Sequence, residues 1–208
     1  VILSKTLIYL VRHGQSVHNL RKRVAGQLPS YLTEQGLEDA RSVARVLEGL
    51  QFDVIYSSDL QRVRQTVETI RNDLALSCPV SISPLLRELD YGEFTNRTVK
   101  ETFVFFDYRL IRNRRYPGGE SFEDLERRVL LFVRQLRFEA LGKHILITAH
   151  AGSIRLLLVV LGAIQPHEMS NQFIDNRYVG RVVLNGSGEF SEYSILSQGP
   201  INSFERGF

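Results

Sequence analysis

An α/β fold, a single domain with helices on both faces of a mostly parallel sheet in three layers, is what the sequence predicts, and three features carry that expectation. Short apolar runs alternate with segments of helical periodicity, the pattern of layered α/β chains. The strand candidates are apolar throughout rather than alternating, as expected where both faces are covered. The chain has 208 residues, 43% of them hydrophobic and 24% charged, which suits one globular unit. No linker, repeat or low-complexity tract divides it, so residues 1–208 are taken as one domain.

Taken in chain order, Leu7 to Val11 reads as the first strand, because the opening residues VILSKTLIYL carry neither a basic leader nor a small-residue cleavage site. From Thr33 to Leu50 the apolar Leu37, Ala40, Val43, Ala44 and Leu47 recur at three- and four-residue spacing, with Arg and Glu between them, which predicts a helix. Val54 to Tyr56 is the second strand. Ser58 and Gln61 have the spacing of a capping box for a helix running to about Leu76. Val80 to Ile82 follows as a third strand. Ser121 and Asp124 open a further helix that ends near Gly142, and Ile145 to Thr148 is a fourth strand, with a helix after Gly152. Two late strands, Val179 to Leu184 and Tyr193 to Leu196, flank the turn Asn185-Gly186-Ser187-Gly188.

Composition excludes several classes of function. The longest apolar run, Ile154 to Ile164, is interrupted by Arg155 and Gly162 and falls short of the roughly 20 residues a membrane span requires. Cys78 is the only cysteine, has no internal disulfide partner and lies in no zinc-finger spacing, so a reducing, cytoplasmic setting is expected. The 26 basic residues divide into 22 Arg and 4 Lys, a bias suited to bidentate recognition of phosphate or carboxylate, although genomic base composition accounts for it equally well. Basic and acidic residues are interspersed. The one basic cluster, Arg109, Arg112, Arg114 and Arg115, has no RNA-binding or zinc-finger signature beside it, so nucleic acid is not an expected partner.

Chemistry concentrates where the strands end. The first strand runs into Arg12-His13-Gly14, the second into Ser57-Ser58-Asp59-Leu60-Gln61-Arg62, and the fourth into His150-Ala151-Gly152. The carboxyl ends of parallel strands are where α/β folds gather ligands. After the third strand comes Leu86-Arg87-Glu88, in a loop rich in carboxylates. Two imidazoles, two guanidiniums and a carboxylate are the parts needed to move a phosphoryl group through a covalent phosphohistidine. A neutral imidazole nitrogen attacks phosphorus and paired arginines neutralise the equatorial oxygens.

Arg12-His13-Gly14, the Ser-Asp-Leu-x-Arg-x-x-Gln-Thr run from Ser58 to Thr66, Leu86-Arg87-Glu88, Pro117-Gly118-Gly119-Glu120-Ser121 and His150-x-Gly152 resemble, in order and spacing, the histidine phosphatase superfamily with its phosphoglycerate-mutase-like fold. The resemblance spans roughly Leu7 to Leu196. It implies that His13 is the phosphorylated nucleophile, that Arg12, Arg62 and His150 hold the transferring phosphoryl, and that Glu88 donates the proton. It further implies phosphate contacts from Gly14, Asn19, Arg23 and Ala151, and a substrate-binding pair in Arg114 and Arg115. The chain departs from the common family pattern at Gln15-Ser16, Pro29 to Thr33, Phe94-Thr95-Asn96 and Ala151. All of these border the expected pocket, so they bear on substrate identity.

Other chemistries fail on spacing. A cysteine-dependent phosphatase needs Arg six residues beyond its nucleophile, and Pro84 stands there after Cys78. No metal-ligand spacing joins the histidines, and no nucleotide-binding P-loop is present. His18, His144 and His167 are assigned structural or surface roles, and Glu93 is the rival of Glu88 for the acid. The expected activity is phosphate monoester hydrolysis with no cofactor and no metal. The expected partner is a small phosphorylated metabolite, with no nucleic acid and no membrane, and a homodimer is left open. A cofactor-dependent mutase and a non-catalytic phospho-ligand-binding domain stand as alternatives. Only 28 residues separate Glu88 from Pro117, shorter than the insertion that mutases of this family tend to carry, which favours hydrolysis. The segment Phe103 to Arg115 is expected to form a lid whose arginines select substrate.

Overall fold

A computed structural model describes residues 4–105 and 112–199. In chain order the elements are β1 (Thr6–Arg12), a one-turn helix α1 (Val17–Leu20), α2 (Glu34–Leu47), β2 (Val54–Ser57), α3 (Gln61–Asp73), β3 (Val80–Ile82), α4 (Val99–Phe105), α5 (Phe122–Glu139), β4 (His144–Ala149), α6 (Ala151–Val160), β5 (Val179–Leu184) and β6 (Phe190–Ser197). The six strands form one sheet in the order β3-β2-β4-β1-β5-β6. The first four in that order run parallel, and β5 is antiparallel to both of its neighbours.

Side chains alternate across the sheet and divide the core in two. Tyr9, Val11, Ile55 and Leu146 face Val43, Ala44 and Leu47 of α2 and Val63, Val67 and Ile70 of α3. Ile8, Leu10, Tyr56, Ile145 and Ile147 face Leu125, Val129, Phe132 and Leu136 of α5 and Ile154, Leu157 and Leu158 of α6. Because both faces are covered, the strands have no polar face to display, which is why their sequences read as unbroken apolar runs.

Helix ends follow local chemistry, with three corrections to the sequence reading. Ser121 and Asp124 do form a capping box at α5: Ser121 N–H donates to Asp124 Oδ2 at 2.8 Å and Asp124 N–H to Ser121 Oγ at 3.2 Å. Ser58 does not cap α3. The cap position is Leu60, with no side-chain cap bond; Ser58 Oγ instead accepts from Leu60 N–H at 3.4 Å and lies 3.0 Å from His150 Nε2. Helix α3 also stops at Asp73, short of Leu76, since Ala75 takes the left-handed conformation at φ 50°. Strand β6 is longer than expected, spanning Phe190–Ser197.

The loop after β1 is laced to the start of α2. Thr33 caps α2 by accepting from Gly36 N–H at 3.1 Å, and its own N–H donates to Gln15 O at 2.9 Å. Gln15 N–H in turn donates to Asp39 Oδ2 at 3.1 Å. The backbones touch: a Cβ on Gly14 would lie 2.0 Å from Gly36 O, and one on Gly36 would lie 2.0 Å from Gln15 O. In a free helix, Gly36→Ala would gain about 0.5–1 kcal/mol. Here overpacking against backbone, typically costing about 1–3 kcal/mol, outweighs that gain. Gly36→Ala is therefore expected to lower the urea midpoint, and a raised midpoint would show that the contact relaxes without cost.

Candidate active site

Strand register brings the two motif histidines together. Arg12 of β1 pairs with Ala149 of β4, so His13 and His150 occupy equivalent positions one residue past the paired ends. His13 N–H donates to Ala149 O at 3.1 Å. The imidazole centroids lie 5.1 Å apart with the planes at 64°. Strand β2 ends beside them, and the first turn of α3 delivers Arg62 to the same point.

The hydrogen bonds of His13 fix its protonation. Its Nδ1 lies 2.8 Å from Gly14 O, which can only accept, so the proton sits on Nδ1. Its Nε2 accepts from Arg62 Nε at 3.2 Å, so that nitrogen carries a lone pair. Burial, then Arg62 and Arg12, hold the His13 pKa well below the usual histidine value, against a smaller raising effect of the Gly14 carbonyl. Burial, then Arg62, His13 and Arg12, lower that of His150 likewise. Both rings are neutral at neutral pH.

Arg62 is 2% exposed. It donates to Gly26 O at 2.7 Å, to Leu28 O at 3.2 Å and to His13, and it is in no ion pair with a carboxylate among the described residues. Burial pushes its pKa down to about 10, with Glu88 acting in the opposite sense from a distance. Arg12 donates from Nη1 to Ile174 O at 2.6 Å. His150 Nε2 lies 3.0 Å from Ser58 Oγ, while its buried Nδ1 has no partner among the described residues. Glu88 accepts through Oε1 from Leu89 N–H at 2.9 Å and through Oε2 from Gly152 N–H at 3.2 Å, in the first turn of α6. A Cβ on Gly152 would lie 2.3 Å from Glu88 Oε1, so only glycine leaves room for the carboxylate there. Its rival Glu93 is exposed.

The structure thus gathers His13, His150, Arg62 and Glu88, with Arg12 alongside. It places the other expected contacts differently. Gly14 gives its N–H to Thr66 Oγ1 at 3.1 Å, so its contribution is close packing rather than an anion contact. Arg23 is exposed and donates to Asn96 O at 2.5 Å. Arg115 is exposed and paired with Asp124 at 2.7 Å, Arg112 is paired with Glu126, and Arg114 is exposed. Arg109 and the middle of the expected lid lie outside the described residues. Asn19 uses its carboxamide oxygen to accept from Ser16 N–H and Ser16 Oγ, both at 3.0 Å. Ala151 is the first residue of α6.

Sequence reasoning missed the supporting atoms. Asn176 Nδ2 donates to His13 O at 2.8 Å, and no local pattern marks it. Backbone carbonyls of Gly26, Leu28 and Ile174 leave no trace in a sequence at all. Ser58 lay within the recognised run, but its partner became visible only in three dimensions. Among the described residues no cluster of potential ligands is arranged to hold a metal ion, and no helix is long and apolar enough to cross a membrane.

A neutral buried histidine pair has a signature in stability. Both pKa values are lower in the folded chain than the usual 6.5, so the unfolded state binds more protons as pH falls through that value. Stability is fully present above about pH 6.5 and is expected to decline below it, with a slope that flattens in a His13→Asn, His150→Asn double variant. Urea denaturation across about pH 7.5 to 5 measures this, and identical slopes would contradict the assigned protonation.

Comparisons with known proteins agree with this geometry. The family model described as histidine phosphatase superfamily (branch 1) matches residues 8–193. The 2,3-bisphosphoglycerate-dependent phosphoglycerate mutase of Bradyrhizobium diazoefficiens is 37% identical over 175 residues, covering 79% of this chain and 84% of that protein. A putative alpha-ribazole-5'-P phosphatase from Escherichia coli superposes with a TM-score of 0.80 at 24% identity, covering 93% of this chain and 96% of that one. A mycobacterial glucosyl-3-phosphoglycerate phosphatase in complex with VO3 superposes with a TM-score of 0.72 at 26% identity, covering 85% and 92%. With its strand-end histidines side by side and its sequence matched across nearly its whole length, the chain belongs to the histidine phosphatase superfamily.

Proposed function

We propose that this chain hydrolyses small phosphate monoesters through a phosphohistidine on His13. The observation that carries the reading is the bonding of that ring: Nδ1–H to Gly14 O and a lone pair on Nε2 held against the Arg62 guanidinium. That is an imidazole in the tautomer needed for attack, beside a buried cation that lacks an anion. An incoming phosphate dianion takes the place of the lone pair in front of Arg62, and Nε2 is released to face phosphorus.

In the first step the Nε2–P bond forms as the ester P–O bond breaks, and the proton of the Glu88 carboxyl passes to the leaving alkoxide. The charge on the equatorial oxygens is met by Arg62, Arg12 and the Nδ1–H of His150. In this reading the Ser58 hydroxyl, 3.0 Å from His150 Nε2, donates to it, and the imidazole's own proton is then on Nδ1. The Asn19 NH₂ group adds a neutral donor. In the second step water attacks phosphorus, the Nε2–P bond breaks, and the water proton returns to Glu88. Nothing in this sequence calls for a metal ion or an organic cofactor. Because His13, Arg62 and His150 are all nearly buried, the site suits a small metabolite better than a phosphoprotein.

Mutase activity is the second reading, and the observation favouring it is that relatives at 34–37% identity are named 2,3-bisphosphoglycerate-dependent phosphoglycerate mutases. Two features favour hydrolysis: the short connection between Glu88 and Pro117, and the pairing of Arg112 and Arg115 with Glu126 and Asp124. Phosphate release over a metabolite panel, beside a mutase assay with and without 2,3-bisphosphoglycerate, decides between them.

Rapid quench of enzyme and substrate is expected to trap an acid-labile, base-stable label on His13, absent in His13→Ala together with turnover. A fully active His13→Ala variant would overturn the mechanism. General acids contribute about 10²–10⁴-fold, and good leaving groups need them least. Glu88→Gln is therefore expected to slow phosphorylation by alkyl phosphates far more than by p-nitrophenyl phosphate, and equal losses would move the acid role elsewhere.

A further inference from the structure

The loop that carries Glu88 is wrapped around a single guanidinium that no motif pointed to. Arg128, in the second turn of α5, donates from Nη1 to Leu85 O at 2.9 Å and Arg87 O at 3.2 Å, and from Nη2 to Glu88 O at 3.3 Å. Its remaining bonds, Nε to Glu120 Oε1 at 2.7 Å and Nη2 to Glu120 Oε2 at 2.8 Å, form a two-point pair with the last residue before the α5 cap. Glu120 then closes the far side of the loop. Its Oε2 accepts from Asp90 N–H at 3.1 Å and its N–H donates to Asp90 O at 2.9 Å.

The carbonyls of Leu85, Arg87 and Glu88 itself, and the N–H and C=O of Asp90 beyond it, are thus tied to one ion pair, both of whose side chains are 19% exposed. The Leu89 and Gly152 N–H groups hold the carboxyl itself, so its aim depends on where the backbone beneath it is set, and a displacement of about 1 Å from reactive geometry can cost about 10²-fold in rate. From this geometry we infer that Arg128, braced by Glu120, is a positioning residue: it sets the backbone from which the Glu88 carboxyl reaches the leaving oxygen. The requirement is for the planar fork as well as the charge. Lysine has one nitrogen and cannot span three carbonyls and two carboxylate oxygens.

The inference rests on the phosphohistidine reading, and the test separates the two. Arg128→Lys keeps the charge and removes the fork. In single-turnover phosphorylation it is expected to lose at least about tenfold more rate with an alkyl phosphate than with p-nitrophenyl phosphate, since only the former needs the proton. KM and the affinity for inorganic vanadate, which report on Arg62 and His13, are expected to stay within about twofold. Glu120→Gln, which weakens the brace but leaves the fork in place, is expected to shift the same ratio by a smaller factor, and it decides the matter if Arg128→Lys does not fold. Equal losses on both substrates, or none on either, would overturn the positioning role while leaving the His13 label of the wild type intact. Absence of that label in the wild type would instead remove the phosphohistidine reading, and this inference with it.

Discussion

The Arg62 guanidinium is buried with two backbone carbonyls and the lone pair of His13 as its acceptors, and with no carboxylate in contact among the described residues. A charge held that way is costly, because neutral acceptors replace only part of the hydration it gives up. Burial is the first cause of the lowered pKa values of Arg62, His13 and His150, and for the two histidines the Arg62 charge is the second. Much of the architecture serves to keep the arrangement from collapsing. The 26–28 turn presents its carbonyls, Ile174 ties back Arg12, and the Gly14–Gly36 contact fixes the loop on which His13 sits. In the proposed function, an incoming phosphate dianion supplies the anion that this cation lacks among the described residues.

How far the sequence discloses this depends on which atoms do the work. The strands are legible because short apolar runs end abruptly in polar motifs, and the meeting of His13 with His150 follows once β1 and β4 pair in register. Helix α5 is legible because Asp124 keeps Oδ2 for the Ser121 cap while its other oxygen takes Arg115. Ser58 shows the opposite case. Its spacing to Gln61 fits a cap, but a buried imidazole offered its hydroxyl a partner and the helix began two residues later. The resemblance implies substrate contacts from Arg23 and Arg115, yet Asn96 and Asp124, which no motif specifies, decide where their guanidiniums go. Carbonyls of Gly26, Leu28 and Ile174 are invisible to any reading of side chains.

Hydrolysis and transfer to a second hydroxyl share every step up to the phosphohistidine, so the machinery around His13 does not distinguish them. The distinction lies in what reaches the phosphorus next, which is set by the walls of the pocket rather than its floor. Here the histidines and Arg62 sit on strand ends and a helix start, whereas the described residues between Glu88 and Ser121 include the short helix α4 and an exposed arginine paired with α5. Members of one family can therefore diverge in acceptor while retaining the same nucleophile, consistent with mutases and phosphatases both being similar to this chain.

Gly152 ties the proton donor to the start of a helix in a way that constrains the chain's descent. The space a methyl group would fill at that position is occupied by the Glu88 carboxylate. If Glu88 is the acid as proposed, a side chain at position 152 would push its carboxylate aside, so glycine is favoured there although Ala is the better helix former. Once the acid is lost, the restriction disappears and alanine becomes the favoured replacement. A lineage that abandoned proton donation would carry the loss as a paired change, recording in α6 the retirement of a residue that lies more than sixty positions earlier in the chain.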